Sequence, residues 1–380
     1  MNGNTRYTVM GAGHGAKAMA AHLSLMGFSV TLYNRTPENV DGIKERGGIE
    51  LRSYKGGPHG FGKLQLVTSD LEEALREADV IMAVVPSTAH GDIADRVCRY
   101  LRDGQIVVLN PGRTGGAIEF DNVLRERSCP ADVTIAEAQS FIYRSRSTGP
   151  AEAQIFRIKD AVPLAALPAN RTDRVLGVLQ TALPQFVDGI NVLHTGLNNV
   201  WSVLHPALAL VNAGRIESTT GEFSLYVDGV TPAVARLLEV LDSERVAVAR
   251  ALGVGTQTTV EWLRAAYDSR GDNLREVILN TAGYRDVKAP RTLNHRYLVE
   301  DVPMSLVPIV GLGRRHGVSV KGMDGIIRLA CMVQGTDYRR RGRRLRRLGI
   351  ARLSASELLL YVNEGVLYGR PPSVNRTSSS

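Results

Sequence analysis

The 380-residue chain has no apolar run long enough to cross a bilayer. Its first residues hold no basic segment followed by an apolar core, so no secretory signal is visible. Cysteine is scarce. Cys98, Cys129 and Cys331 are odd in number, widely spaced and matched by no metal-ligand pattern. These absences fit a reduced, cytoplasmic setting with no membrane partner and no structural metal. Lysine is missing from the whole stretch between Lys159 and Lys288, which matters for the chemistry below. No internal repeat is present.

Arginine is in excess, and the formal net charge is +8. Part of the excess is one run, Arg339 to Arg347. It lacks interleaved aromatics beyond Tyr338 and belongs to no recognisable nucleic-acid module. It reads as a solvated helix face or connecting segment, and no nucleic-acid partner is expected. A general positive field favours acidic substrates and a phosphorylated cofactor. Hydrophobic content of 44% and charged content of 22% are ordinary for a globular protein, and the length allows two domains.

The N-terminus carries the most specific local pattern. A short apolar strand, Tyr7 to Met10, runs into Gly11-Ala12-Gly13-His14-Gly15-Ala16. A helical run, Ala18 to Met26, and a second strand, Ser29 to Tyr33, follow. Strand, glycine loop, helix and strand in this order predict a dinucleotide site. Gly11 allows the tight turn, Gly13 the approach of a pyrophosphate, and Ala16 close packing of helix on sheet. The pyrophosphate is expected on the unpaired N–H groups at the helix start, beside His14 and Gly15. The second strand ends in Asn34-Arg35-Thr36 where an NAD site usually has Asp or Glu. An arginine and a hydroxyl suit a 2′-phosphate, which a carboxylate would repel. The expected cofactor is therefore NADP(H), with NAD(H) as the alternative.

The first half alternates short apolar strands with helical patterns. A helix is expected around Pro37 to Gly47, and strands near Ile49 to Arg52 and Lys63 to Val67. Leu71 to Glu77 reads as a helix capped by Ser69 or Asp70. Val80 to Val85, Ile106 to Leu109 and Val133 to Ala136 read as buried parallel strands. The rhythm predicts an α/β, doubly wound parallel sheet. Pro86 and Asn110 follow two of the strands, where ligands collect, and are expected near the ribose and nicotinamide. Turn chemistry alone also accounts for them.

From Asn191 the chain reads as helices: Leu197 to Glu217, Thr231 to Leu252, Thr259 to Tyr267, Val307 to His316 and Met323 to Val333. The boundary falls near residues 183–192. It divides a dinucleotide-binding domain, 1–188, from a helical substrate domain, 189–370; residues 371–380 are expected to be a disordered tail. His205 lies mid-segment and is followed by Pro206, which predicts a kink. It is a candidate proton donor; the competing reading is a histidine that satisfies a core carbonyl. A second cluster runs from Asn294 to Pro303. There Arg296 could clamp a carboxylate and Asp301 could fix an imidazole tautomer, or the cluster could simply cap a helix.

These blocks resemble the octopine/nopaline (opine) dehydrogenase family over nearly the whole chain. The resemblance rests on Gly11 to Gly15, Leu109 to Gly116, Val192 to Thr195, Asn198-Asn199, His205-Pro206 and Arg296 to Pro303. It is nearest to the bacterial N-(1-carboxyethyl)-amino-acid dehydrogenases. The resemblance implies a Rossmann domain followed by an all-helical domain of the 6-phosphogluconate dehydrogenase C-terminal type. It also implies a catalytic pair, His205 and Asp301, and substrate contacts from Arg296, Asn198 and Trp262. Asn34-Arg35 departs from the acidic residue of many relatives.

The implied reaction condenses a 2-oxo acid such as pyruvate with the amino group of an L-amino acid and reduces the imine. A homodimer is compatible with the helical segments. Ketopantoate-type and related 2-oxo acid reductases share the architecture, but their chemistry depends on a lysine in the region that lacks one here. A non-catalytic NADP(H) sensor is the remaining alternative.

Overall fold

The computed structural model describes residues 5–367. The expected tail lies outside the described residues. Among the described residues there are twelve strands: β1 (Arg6–Met10), β2 (Ser29–Tyr33), β3 (Gly48–Ser53), β4 (Gly60–Lys63), β5 (Leu66–Thr68), β6 (Val80–Ala83), β7 (Ile106–Leu109), β8 (Thr134–Ala138), β9 (Tyr143–Gly149), β10 (Glu152–Ile158), β11 (Val162–Leu167) and β12 (Phe186–Asp188). Eight of them make one sheet in the order β12-β11-β8-β7-β6-β1-β2-β5. All neighbours in it are parallel except β8 and β11. The chain winds outward from β1 through β2 to β5, then returns to β6 on the other side of β1. That reversal makes the ends of β1 and β6 the switch point where α/β sheets bind ligands. The fully buried strands β6 and β7 are continuous apolar runs, as burial on both faces requires.

A second sheet, β4-β3-β10-β9, was not expected from the sequence. It packs on the helix His14–Leu25. After the buried Tyr143, the inward positions of β9 are small, Ser145, Ser147 and Gly149, so the usual apolar alternation is missing. Ser147 accepts a hydrogen bond from the buried Lys17 Nζ at 3.1 Å instead. The stretch expected as one strand, Lys63 to Val67, is divided between β4 and β5. The helix expected around Pro37 to Gly47 is a 3-10 turn, Pro37–Asn39, followed by a short helix, Asp41–Arg46. Asp70 is the cap of Leu71–Leu75, accepting from the Glu73 N–H at 2.9 Å.

Contacts divide the chain into two compact units. Of the described residues, 5–112, 116–195 and 360–367 form the first and 113–115 with 196–359 the second. The division falls beyond residue 188 because Val192, Leu193 and Thr195 are buried in the first unit, where Thr195 donates to Glu137 at 2.8 Å. The second unit is helical. Its expected long segment, Leu197 to Glu217, is interrupted: Val192–Leu197, Trp201–Val211 and Ala213–Thr219 are separate helices. The interruption has a visible cause. The buried Arg245 donates to the Leu197 carbonyl at 2.8 Å, ending that helix. Pro206 lies inside Trp201–Val211, which continues through it. Thr231 caps Pro232–Ala251, and a capping box of Thr258 and Glu261 starts Thr259–Tyr267. Arg343, within the run read as solvated, is fully buried and donates to the Thr114 carbonyl at 3.4 Å.

Gly11 anchors the switch point. Its φ is +120°, and a Cβ there would lie 2.4 Å from the Val84 carbonyl oxygen. Gly11→Ala should therefore cost about 1–3 kcal/mol, read as a lower midpoint of urea unfolding. An unchanged midpoint would show that the loop can relax.

Candidate functional site

The first unit places the glycine loop between β1 and the helix His14–Leu25. Gly11 N–H donates to the Tyr33 carbonyl at 2.7 Å, closing the turn. Gly13 is the helix N-cap in extended conformation, and a Cβ on it would meet nothing within 4 Å. The open space above the N–H groups at the helix start suits a pyrophosphate. Gly15 is confined from the other side: a Cβ on it would lie 2.7 Å from the Phe141 ring. Close packing therefore depends on Gly15 as well as on the buried Ala16. His14 Nδ1 accepts from the Ser147 N–H at 2.9 Å and ties the helix start to β9.

Beside the loop is a cleft lined by Gly11, Asn34, Arg35, Thr36, Pro86 and Asp92, among others. Asn34 shapes its wall, its Oδ1 accepting from the Thr36 N–H at 2.9 Å and from Asn39 at 3.3 Å. Arg35 is exposed, with Nη1 3.6 Å from Asp92. Asn110 is buried, donates to the Val108 carbonyl at 3.0 Å and does not line this cleft. A glycine turn, an open helix start and a cation at the end of β2 together fit a dinucleotide.

The second unit gathers a different chemistry. The helix Trp201–Val211 carries His205, and the segment after Arg296–Val299 carries Asp301. His205 Nδ1 lies 3.2 Å from Asp301 Oδ2. A carboxylate accepts only, so Nδ1 holds the proton and Nε2 is the basic nitrogen of the neutral ring. Tyr226 Oη stands 3.0 Å from Nε2. Burial raises the Tyr226 phenol well above its usual range, so it stays protonated and donates. The imidazole is stacked between Tyr297, centroids 4.0 Å apart, and Trp201, 5.4 Å apart. Further rings continue outward: Tyr226 on Tyr284 at 4.5 Å, Tyr284 with Tyr267 at 5.5 Å, and Tyr267 with Trp262 at 5.8 Å. Trp262 thus stands at the far end of an aromatic chain that begins at His205.

Asp301 is wholly buried and opens a π-helical turn, Val302–Leu306. Such turns widen the helix and recur at functional sites. Its other oxygen lies 3.0 Å from Nη1 of Arg113, a buried residue that sequence reasoning passed over. Arg113 is also 3.7 Å from Glu300. The only signal for it was its place in the Leu109-to-Gly116 block. Arg296 is 57% exposed and 3.7 Å from Glu300, so its guanidinium faces solvent beside the acidic pair. Asn198 is committed to the scaffold: Nδ2 donates to the Gly255 carbonyl at 3.1 Å, and Oδ1 accepts from Thr256 at 2.7 Å. Arg245, paired with Asp242 at 2.7 Å, donates to Thr256 and Gln257 and fixes that loop.

The comparisons with known proteins now bear on this geometry. Residues 189–334 match the family model for the NAD/NADP octopine/nopaline dehydrogenase alpha-helical domain. Residues 6–112 match that for the NAD-dependent glycerol-3-phosphate dehydrogenase N-terminus. An opine dehydrogenase of Arthrobacter sp. (strain 1C) is 39% identical over 350 residues, covering 92% of this chain and 96% of that one. The chain belongs to the opine dehydrogenase family. It is an NAD(P)-dependent oxidoreductase with a Rossmann-like N-terminal domain and a helical C-terminal domain. The fold agrees with octopine dehydrogenase solved with NADH and L-arginine: TM-score 0.79, 20% identity, 94% of this chain and 98% of that one. It also agrees with yersinopine dehydrogenase in its NADP+-bound form: TM-score 0.73, 16% identity, 93% and 99% covered.

Electrostatics set the resting state of His205. Burial is the largest influence and disfavours the imidazolium; Asp301 opposes it, while Arg113 and Arg296 add to it, so the balance is lowered. His295, half-buried and next to Arg296 and His205, is pushed down to about 4, chiefly by burial. In an NMR titration of the ligand-free protein, His205 should therefore titrate below the ordinary 6.5. Asp301→Asn removes the favourable charge and should move the midpoint lower still. A midpoint above 6.5 would contradict this balance.

Proposed function

We propose that the protein catalyses the NADPH-dependent reductive condensation of a pyruvate-like 2-oxo acid with the amino group of an L-amino acid. The product is a secondary-amine dicarboxylate. The observation that carries the reading is the His205–Asp301 pair, with Nδ1 held by a buried carboxylate and Nε2 left as the reactive nitrogen. Condensation joins the amine nitrogen to the keto carbon and expels the keto oxygen as water. His205, when protonated, gives a proton from Nε2 to that oxygen; the neutral ring takes a proton from the amine nitrogen and passes it to the same oxygen, which leaves as water, and the second nitrogen proton restores the ring. Asp301 stabilises the imidazolium between these events, and the faces of Trp201 and Tyr297 favour the same cation. Substrate must displace the Tyr226 hydroxyl from Nε2 or receive the proton through it.

A bound nicotinamide supplies the hydride that reduces the imine. The loop Gly11, Gly13, His14, Gly15 and Ala16 would hold its pyrophosphate. Arg35 and Thr36, with Asn34 shaping their turn, would receive a 2′-phosphate, and Pro86 would border the ribose. Arg35 supports NADP(H) over NAD(H) because it replaces the carboxylate that reads an unmodified ribose. Arg296 suits a substrate carboxylate, being a cation at the rim of the cluster with an exposed guanidinium. Trp262 supports an amino-acid side-chain pocket through its aromatic chain to His205. Asn198 acts by holding the 255–257 loop in place.

An oxidation screen of NADPH and NADH with pyruvate and each of the twenty amino acids tests the reading. Oxidation should require both oxo acid and amine; oxidation with the oxo acid alone would identify a 2-oxo acid reductase instead. His205→Ala and Asp301→Asn should each lower kcat by about a hundredfold or more. Arg35→Ala should raise the KM for NADPH by about tenfold, the worth of one exposed charge-assisted contact, and leave that for NADH nearly unchanged.

A further inference from the structure

The proposed roles leave one buried charge unused. Arg113 is almost inaccessible, its side chain 4% exposed. Its backbone is left-handed, φ +62°, a conformation unfavourable for a side chain of this size. The strain places the guanidinium against two acids, with Nη1 3.0 Å from Asp301 and another nitrogen 3.7 Å from Glu300. Its Nε and Nη2 make no hydrogen bond among the described residues. A buried cation whose close partners are carboxylates acts on those carboxylates.

We propose that Arg113 is a positioning residue for the reaction, holding Asp301 in place from one side so that its other oxygen orients His205. Asp301 is then shared between a permanent cation and a switchable one. Oδ1 faces Arg113, and Oδ2 faces Nδ1 of His205. Without Arg113, a wholly buried carboxylate would depend on His205 alone for its counter-charge, and would hold the imidazolium more firmly. With it, Asp301 fixes the tautomer yet leaves the proton transferable. The other ionisable groups around the imidazole are Arg296, His295, Tyr226 and Tyr297, none of which approaches Asp301 as an ion-pair partner within the described residues. Burial and the Arg113 charge both act to lower the His205 pKa, and Asp301 to raise it.

The kinetic part rests on the proposed reaction, so the primary readout does not. The protein and its Arg113→Met and Arg113→Lys variants are compared by NMR titration of His205 and by kcat in the amine-dependent assay. Arg113→Met removes a repelling cation and frees Asp301 for the imidazole, so the His205 midpoint should move to higher pH. Its kcat should fall by roughly tenfold to a hundredfold, as when a partner that orients a functional imidazole is lost. Arg113→Lys keeps the charge but cannot span both acids. It should restore the midpoint while kcat stays reduced by several-fold. An unmoved midpoint in Arg113→Met would overturn the proposal. If that variant does not fold, Arg113→Lys decides: an unchanged kcat overturns the proposal, and a lowered kcat with an unmoved midpoint supports it. If no opine activity is found at all, the reaction fails but the titration still tests Arg113.

Discussion

The second unit is organised around one buried carboxylate. Asp301 has no solvent exposure, so each oxygen must find its compensation inside the protein. One forms an ion pair with Arg113 without a hydrogen bond, and the other faces His205. The carboxylate and its two partners come from three distant parts of the chain: the three residues 113–115, the helix Trp201–Val211 and the turn that begins at Asp301. Removing a single partner of a buried ion pair typically costs about 3–5 kcal/mol. The carboxylate thus fixes the chain path and the imidazole tautomer together. The widened turn Val302–Leu306 starts at this residue, and the carbonyl of Met304 accepts from the Thr114 N–H at 3.3 Å, pinning the 113–115 segment beside it.

The dinucleotide unit depends on an opposite kind of constraint, the removal of side chains. At Gly11 a methyl group has no room against Val84, and at Gly15 none against Phe141. At Gly13 there is ample room, so its small size serves whatever approaches the helix start. The three glycines therefore have three separate reasons. The motif GxGxxA conveys the first and third, while the second becomes visible only when Phe141 is seen to fold over the loop.

What could be read from the sequence followed how local each signal was. β2, β7 and the helix Thr259–Tyr267 are where the sequence pattern places them, because burial is written in adjacent residues. β3 was legible at Ile49 to Arg52, but the sheet it forms with β4, β9 and β10 was not. The inner face of β9 has Ser145 and Ser147 where a hydrophobic alternation would have announced a strand. The break after Leu197 was hidden for a related reason: the cation that ends the helix, Arg245, lies far along the chain. In the site, His205 and Asp301 were reached through family resemblance and are brought together by the fold. Arg113, Tyr226 and Tyr297 were not singled out, since an arginine after a Pro-Gly turn or a tyrosine in an amphipathic stretch has no local mark of function. Arg343 teaches the same lesson in reverse, a member of a conspicuous charge run that is wholly buried.

The missing lysine and the crowded imidazole suit the same chemistry. A permanently protonated ammonium can polarise a carbonyl but does not readily take a proton back near neutral pH, whereas condensation requires a group that both gives and receives. An imidazole does this only if neither form is held too tightly. Burial alone would leave His205 neutral, and Asp301 alone would favour the cation. Stacking by Tyr297 and Trp201 adds to the cation's stability, while Arg113 and Arg296 oppose it. The cluster therefore sets charges against one another around a single ring. On the proposed mechanism, that balance is what would let one histidine serve both halves of the condensation.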